Sequence, residues 1–268
     1  MKKIISIVST KGGVGKTTLT ANMAGYLSDL GYIVLMIDAD PQPSLSSYYN
    51  INHKSPLGLM ELMHNPDRIN DCISTTDVCD LIYSNDSDNT LQNWLLSQAD
   101  GRFRLKKALS FLKKDYDFIL IDTQGARGSL QDAAAISAHE LISPILPELA
   151  TIREFTRGTL SMLSGLDDLA FLGVEVPTLY ALIYKINQQT VDARHYSDLF
   201  IKKTNEENKY KVLKTQIPES VVFKDATSRK IPVSRFANGN TKDFDKSFKS
   251  VKALKSLVKE LDLIGRRK

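Results

Sequence analysis

The sequence predicts an α/β fold: a doubly wound, mostly parallel sheet with helices on both faces. Three observations predict it. Short apolar runs rich in β-branched residues recur at positions 4–8, 32–37 and 118–121, without the polar alternation of a half-exposed strand. Each run ends in glycine or aspartate chemistry. Between the first two, Leu19, Met23, Ala24, Leu27 and Leu30 repeat at the one-face spacing of a helix, and Gly31 supplies its C-terminal stop. Strand, helix, strand at this length is a right-handed crossover, so the centre of the sheet is parallel and a ligand belongs at the carboxyl ends of its strands.

The first strand, carried by Ile4, Ile5, Ile7 and Val8, breaks into Lys11-Gly12-Gly13-Val14-Gly15-Lys16-Thr17-Thr18. Gly12, Gly13 and Gly15 let the backbone curl with its N–H groups inward, a cradle for anionic oxygens at a helix start. Lys16 adds a point charge for β- and γ-phosphates, and Thr17 offers a hydroxyl to Mg²⁺. The stretch reads as a nucleoside-triphosphate site. The general phosphate-loop pattern wants glycine where Thr10 stands. With Lys11 in place, the run resembles the deviant Walker A motif of the ParA/MinD family.

The second strand delivers Asp38-Ala39-Asp40-Pro41-Gln42 to the same end of the sheet. Two carboxylates two residues apart share a face in a continuing strand, although Pro41 forces a turn. One can hold a metal-bound water while the other orients an attacking water. Asp38 has a second reading, as a cap for the next helix. Residues 44–100 say less: a short helix around Leu57, Leu59, Met60, Leu62 and Met63, a turn at Pro66-Asp67, a strand at 78–83, a polar loop at 84–90, a helix starting at 91–96 with Trp94, and helical spacing again over 103–112.

The strand at 118–122 ends in Asp122 and resembles Walker B, whose aspartate holds Mg²⁺ through a water. Gln124-Gly125-Ala126-Arg127-Gly128 follows, where ParA proteins usually carry prolines. Two glycines in place of a rigid turn predict a mobile segment working like the D-x-x-G switch of GTPases, with the Gly125 amide sensing the γ-phosphate. Arg127 reads either as a charge-stabilising finger or as a surface arginine. Beyond it the spacing predicts a helix over 133–139, a strand over 141–147, a long helix over 152–172 with Phe155, Leu160, Leu163, Leu166, Leu169 and Phe171 inward, a strand over 177–184, a loop and helix to about 204, and a strand over 212–217.

The chain of 268 residues is long enough for a substantial core, and a single domain spanning 1–268 is expected. No apolar stretch reaches the ~18 residues of a membrane span, and the apolar N-terminus is too short for a signal peptide, so a cytoplasmic protein is expected. Cys72 and Cys79 have no partner pair and no histidine at zinc spacing; reduced, partly buried thiols are expected. Charge is divided: residues 1–184 hold 15 Lys and Arg against 21 Asp and Glu, whereas 185–268 hold 20 against 10. A basic C-terminal third on an acidic body points to a polyanion partner, or to a lysine-rich solvated surface.

The C-terminal part also offers Phe244, Phe248, Val251, Leu254, Leu257, Val258 and Leu261 as one helical stripe, with lysines mostly elsewhere. Three readings stand: a core-packed helix with a solvated lysine face, DNA-facing lysines on that helix, or a basic helix lying on a membrane surface. Two aromatics in the stripe and the closing Arg266-Arg267-Lys268 weigh against the membrane.

Resemblance to the ParA-type partition ATPases covers nearly the whole chain. It rests on the residue 11–18 loop, on Asp38-Ala39-Asp40-Pro41-Gln42 (Walker A′), on Ile121-Asp122, and on residues 217–233 with their Ile-Pro, Asp225-Ala226 and Pro232. With no segment ahead of the loop for a helix-turn-helix domain, it resembles the small, single-domain class. The resemblance implies a slow ATPase using ATP and Mg²⁺. In it Lys16 and Thr17 bind nucleotide and metal, Asp38 supports the metal shell, Asp40 positions water, and Lys11 reaches the phosphates of the other subunit in a sandwich homodimer. Pro218 lies in the segment resembling the adenine contact. The dimer is expected to bind DNA nonspecifically, associated with the nucleoid, and to be stimulated by a ParB-like partner. Lys224, Arg229, Lys230 and Arg235 are the first DNA candidates, with Lys246, Lys249 and Lys252. A MinD-like membrane switch is the alternative. An electron-transfer ATPase resembling nitrogenase iron protein requires cysteines near the switch segments, and none follows Asp122.

Overall fold

A computed structural model describes residues 2–86, 88, 90–187, 189–204, 209–236 and 241–264. In chain order these form β1 (Lys3–Ile7), α1 (Lys16–Asp29), β2 (Val34–Ala39), β3 (Ile51–His53), α2 (Leu59–His64), β4 (Ser74–Thr76), β5 (Asp80–Ile82), α3 (Leu91–Ser97), α4 (Arg104–Ser110), β6 (Phe118–Thr123), α5 (Ser129–Ser137) and β7 (Glu140–Ile145). The order continues with α6 (Leu149–Glu154), α7 (Leu160–Asp167), β8 (Thr178–Ile186), α8 (Val191–Thr204), β9 (Lys211–Pro218), α9 (Val222–Ser228), α10 (Val233–Phe236) and α11 (Thr241–Glu260).

The strands make one sheet in the order β3-β4-β5-β2-β6-β1-β7-β8-β9. Only the β3-β4 and β4-β5 pairs are antiparallel. The apolar runs lack alternation because both faces are covered. Ile4, Ile119 and Ile121 join a core with α2, α4, α5 and α7, while their neighbours Ile5 and Leu120 join the other core with α1, α9 and α11. This is the doubly wound arrangement that the sequence predicts.

Several element boundaries differ from expectation. The helix expected at 133–139 starts at Ser129 and ends at Ser137, because His139 already pairs like a strand residue: its N–H donates to the Ile4 carbonyl (2.9 Å) and its Nδ1 accepts from the Ile4 N–H (3.0 Å). The long helix expected at 152–172 is broken by a π turn at Phe155–Thr159 and stops at Asp167, which leaves Phe171 83% exposed instead of inward. Gly158 within that turn lets the Thr10 side chain approach closely, and the Thr10 hydroxyl donates to Glu154 Oε1 at 3.1 Å. A π turn beside the phosphate loop resets the helical stripe, which a 3.6-residue period does not register.

Within 78–83 only Asp80–Ile82 pairs as a strand, and the short antiparallel β3 and β4 were not expected. Gly101, packed under the Leu95 carbonyl, separates α3 from α4. On α11, Leu254, Leu257 and Val258 are buried, as is Leu261 just past its end, but Phe248 is 57% exposed, so the apolar stripe is narrower than expected; the Phe244 side chain and residues 266–268 lie outside the described residues. Cys72 and Cys79 are both free thiols. No described helix is long and apolar enough to cross a membrane.

Candidate nucleotide site

Glycine shapes the loop between β1 and α1 by backbone angle. Gly13 (φ 75°) and Gly15 (φ 99°) occupy the left-handed region, and Gly15 caps α1 against the ring of Tyr184, a fully buried side chain. A Cβ added at Gly12 or Gly13 meets nothing within 4 Å, so the mouth of the loop is open. Val14 is fully buried and anchors the loop from beneath. Lys16 opens α1 and is 7% exposed; burial lowers the pKa of its ammonium, while Asp122 and then Asp40 pull it back up.

The parallel register of β2 and β6 sets Asp38 beside Asp122. Thr17 Oγ1 donates to Asp122 Oδ2 at 2.6 Å, and Asp122 Oδ1 is buried with no partner. Burial, reinforced by Asp38, pushes the Asp122 carboxyl up to about 8 against the Thr17 hydrogen bond and Lys16. Asp38 is also fully buried and is pushed up to about 7, chiefly by burial. Its Oδ2 accepts from the Ser46 N–H (2.7 Å) and Ser46 Oγ (2.6 Å), and its Oδ1 accepts from the Asp40 N–H at 3.3 Å. Both Asp38 oxygens thus brace the loop that carries Asp40. Asp40 lies past the end of β2, half-buried, and burial raises its pKa against the Gln42 N–H and Lys16.

Mg²⁺ takes hard oxygen donors and keeps several non-protein ligands. A threonine hydroxyl paired to a carboxylate with one orphaned buried oxygen fits that requirement. Among the described residues no group of three or more His, Cys, Asp or Glu could hold a metal by itself, so a cation here would be completed by phosphate or water oxygens. The open mouth of the glycine loop, beside the buried Lys16, fits an anionic ligand in the same way.

Lys11 lies half-exposed at the loop entrance, where its Nζ donates to Thr151 Oγ1 (2.7 Å) and stands 4.0 Å from Glu148 Oε2. It is tethered to its own chain, at the start of α6. Gly125 lies directly on the loop: a Cβ there would come 2.7 Å from Gly12 Cα and 2.9 Å from Gly12 N. Arg127 is exposed, and its guanidinium donates to Ser161 Oγ at 3.3 Å.

The family model described as an AAA domain matches residues 2–157. The chain is 31% identical over 245 residues to the chromosome-partitioning ATPase Soj of Treponema pallidum, covering 88% of this chain and 90% of that one. It belongs to the ParA/Soj family of partitioning ATPases. The sporulation initiation inhibitor protein Soj of Bacillus subtilis is 30% identical, with 87% and 90% covered. Among solved structures, the ATP complex of Cyanothece McdA shares the fold at TM-score 0.80 and 24% identity, covering 100% and 99% of the two chains. The AMPPNP-bound putative plasmid partition protein of Borrelia burgdorferi does so at TM-score 0.74 and 21% identity, covering 98% and 100%.

Elsewhere on this ParA/Soj-family chain, the remaining candidates are dispersed. Pro218 lines a cavity of about 510 Å³ with Ile186, Asn187, Glu219, Val221 and Lys249. Lys249 therefore faces that cavity. Lys224, Arg229, Lys230 and Lys252 are exposed, and the Arg229 guanidinium sits 4.7 Å from the Phe236 ring centroid. Arg235, expected to be available to DNA, is committed elsewhere: its Nε donates to Asp29 Oδ1 at 2.7 Å, tying α10 to the end of α1. The Lys246 side chain lies outside the described residues.

Sequence reasoning missed three residues that shape this site. Ser46 braces Asp38 from a short 3-10 turn at Leu45–Ser47, and Tyr184 on β8 supports Gly15. Lys185 adopts a left-handed backbone (φ 55°) and brings its Nζ to 3.5 Å from the Gly13 carbonyl. Only the lysine left a signal, as a cation interrupting the apolar run of β8.

Proposed function

We propose that the chain is a slow, Mg²⁺-dependent ATPase whose ATP-bound form pairs with a second copy, holds DNA without sequence preference and, stimulated by a ParB-like partner, partitions a plasmid or other DNA element. One observation carries the reading: the Thr17–Asp122 hydrogen bond beside the orphaned Asp122 Oδ1, at the foot of an open glycine loop headed by Lys16. ATP and Mg²⁺, when bound, supply the phosphoryl group to be transferred and the cation that neutralises its oxygens.

Each residue then has a physical task. The loop N–H groups and Lys16 hold the phosphate chain, and Thr17 and Asp122 hold the metal side. Asp40 orients water in line, on a loop braced by Asp38 and Ser46. Lys11 exchanges its tether to Thr151 for the phosphates of a second copy, so pairing depends on the γ-phosphate. Gly125 reports that phosphate through its backbone N–H. The cavity beside Pro218 takes the adenine. Joining two copies doubles the basic surface of Lys224, Arg229, Lys230 and Lys252, which makes DNA retention a readout of nucleotide state. The protein is then cytoplasmic and moves to the nucleoid in its ATP form.

Co-sedimentation separates this reading from a membrane switch. Wild type and Asp40→Ala are spun with DNA or with anionic liposomes, in ATP or ADP. Retention on DNA in ATP alone, prolonged by Asp40→Ala, is the expected result. Retention on liposomes with indifference to DNA overturns it.

A further inference from the structure

The segment that leaves Asp122 for α5 is held at its back by one residue of α3. Gln92 Nε2 donates to Gln124 Oε1 at 2.8 Å, and the Gln92 main-chain carbonyl accepts from Ser129 Oγ at 2.9 Å. Gln92 therefore grips both ends of the 124–129 segment. Gln124 is 7% exposed, and its Nε2 is buried without a partner. Gly128 makes this grip geometrically possible: a Cβ there would collide with Gln92 Oε1 and come 2.7 Å from Gln124 Nε2.

Gln92 is itself fixed. Asp86, 1% exposed, accepts from the N–H groups of Thr90 (2.8 Å) and Leu91 (3.1 Å), which pins the first turn of α3. The other face of the gripped segment carries Gly125, pressed onto Gly12 of the phosphate loop. A rigid anchor, a single side-chain hydrogen bond and a glycine contact thus run in series from α3 to the loop.

We infer that Gln92 is a positioning residue for the γ-phosphate: through Gln124 it holds the Gly125 N–H where a nucleoside triphosphate, and not a diphosphate, is sensed. This rests on the reading of the loop as an ATP site. A buried amide pair left half-satisfied is easily exchanged for another arrangement, which suits a segment that must move when the phosphate leaves. The grip meets the loop at the Gly125–Gly12 contact, away from Lys16 and Thr17 in sequence, and its loss is expected to spare the diphosphate.

The test measures ATP and ADP affinity by equilibrium fluorescence titration, together with amide hydrogen exchange over residues 124–128 in the nucleotide-free protein. Gln92→Ala is expected to weaken ATP binding roughly three- to tenfold, the effect of one net hydrogen bond, with ADP affinity unchanged and exchange in the segment faster. Gly128→Ala, which forces the two carboxamides apart from the other side, reproduces both effects. Gln92→Glu, whose carboxylate accepts from Gln124 Nε2 instead of donating to Oε1, restores ATP affinity. Equal loss of ATP and ADP affinity in Gln92→Ala, or unaltered exchange over 124–128, overturns the inference while leaving the nucleotide site intact. Wild-type protein that binds neither nucleotide overturns the underlying reading as well.

Discussion

Thr17 and Asp122, one at the start of α1 and the other near the end of β6, share a 2.6 Å hydrogen bond that engages only one of the two carboxylate oxygens. The arrangement is half-finished in the way a cation site is. Asp122→Asn preserves shape and a hydrogen-bonding acceptor but removes the charge. It is expected to lower Mg²⁺-dependent hydrolysis by about 100-fold or more, read by phosphate release, while circular dichroism stays unchanged.

Asp40→Ala removes the carboxylate beyond β2 and leaves Asp38 and Ser46 in place. Turnover is expected to fall by about 10²–10⁴-fold, the range of a lost general base. ATP-dependent pairing should persist. Light scattering that shows a monomer in ATP, or normal turnover, defeats the role given to Asp40.

Lys11 has a measurable alternative. Its bond to Thr151 Oγ1 and its proximity to Glu148 keep it on its own chain in the absence of a second copy. If Lys11 acts as proposed, across the interface and not in the pocket, Lys11→Ala is expected to keep ADP affinity within about twofold and to abolish ATP-dependent dimerisation in sedimentation velocity.

The pH dependence follows from the two buried acids. Asp38 is pushed up to about 7 and Asp122 to about 8, both from an ordinary value of 3.8. Below that value both states hold the protons. As pH rises through the interval, the unfolded chain has released them and the folded chain still holds them, so folding stability falls toward the folded-state values. Nucleotide-free protein is therefore expected to melt at lower temperature at pH 8 than at pH 5. Mg²⁺ with nucleotide, or Asp122→Asn, should flatten that slope, as differential scanning fluorimetry can record.

DNA retention offers a numerical check. Each neutralised phosphate contributes about 0.9 to the slope of log affinity against log salt. Lys230→Ala is expected to reduce the slope by about that amount per copy. Arg235→Ala is expected instead to lower the melting temperature, since its partner is Asp29.

The strand ends were legible because a strand buried on both faces writes itself as an apolar run, and Asp38 and Asp122 are the first charges after one. Loop chemistry was legible through Gly12, Gly13, Gly15 and Lys16. Partners brought together by folding were not. Nothing local to Ser46 points to Asp38, and nothing local to Gln92 points to Gln124, because each contact depends on how a connecting segment packs. The π turn at Phe155–Thr159 left no trace either, since it changes the pitch of a helix and not its composition. Phe248 was misplaced because a period identifies a face without saying how wide the covering surface is.

The last residue of α11 closes one margin of the molecule. Glu260 accepts from the N–H groups of Lys214 (2.6 Å) and Thr215 (2.8 Å) on β9, where the pairing with β8 slips out of register. An outermost strand with free amides invites a neighbour's backbone to zip alongside it. With those two donors already taken, side-by-side lamination through β9 is discouraged.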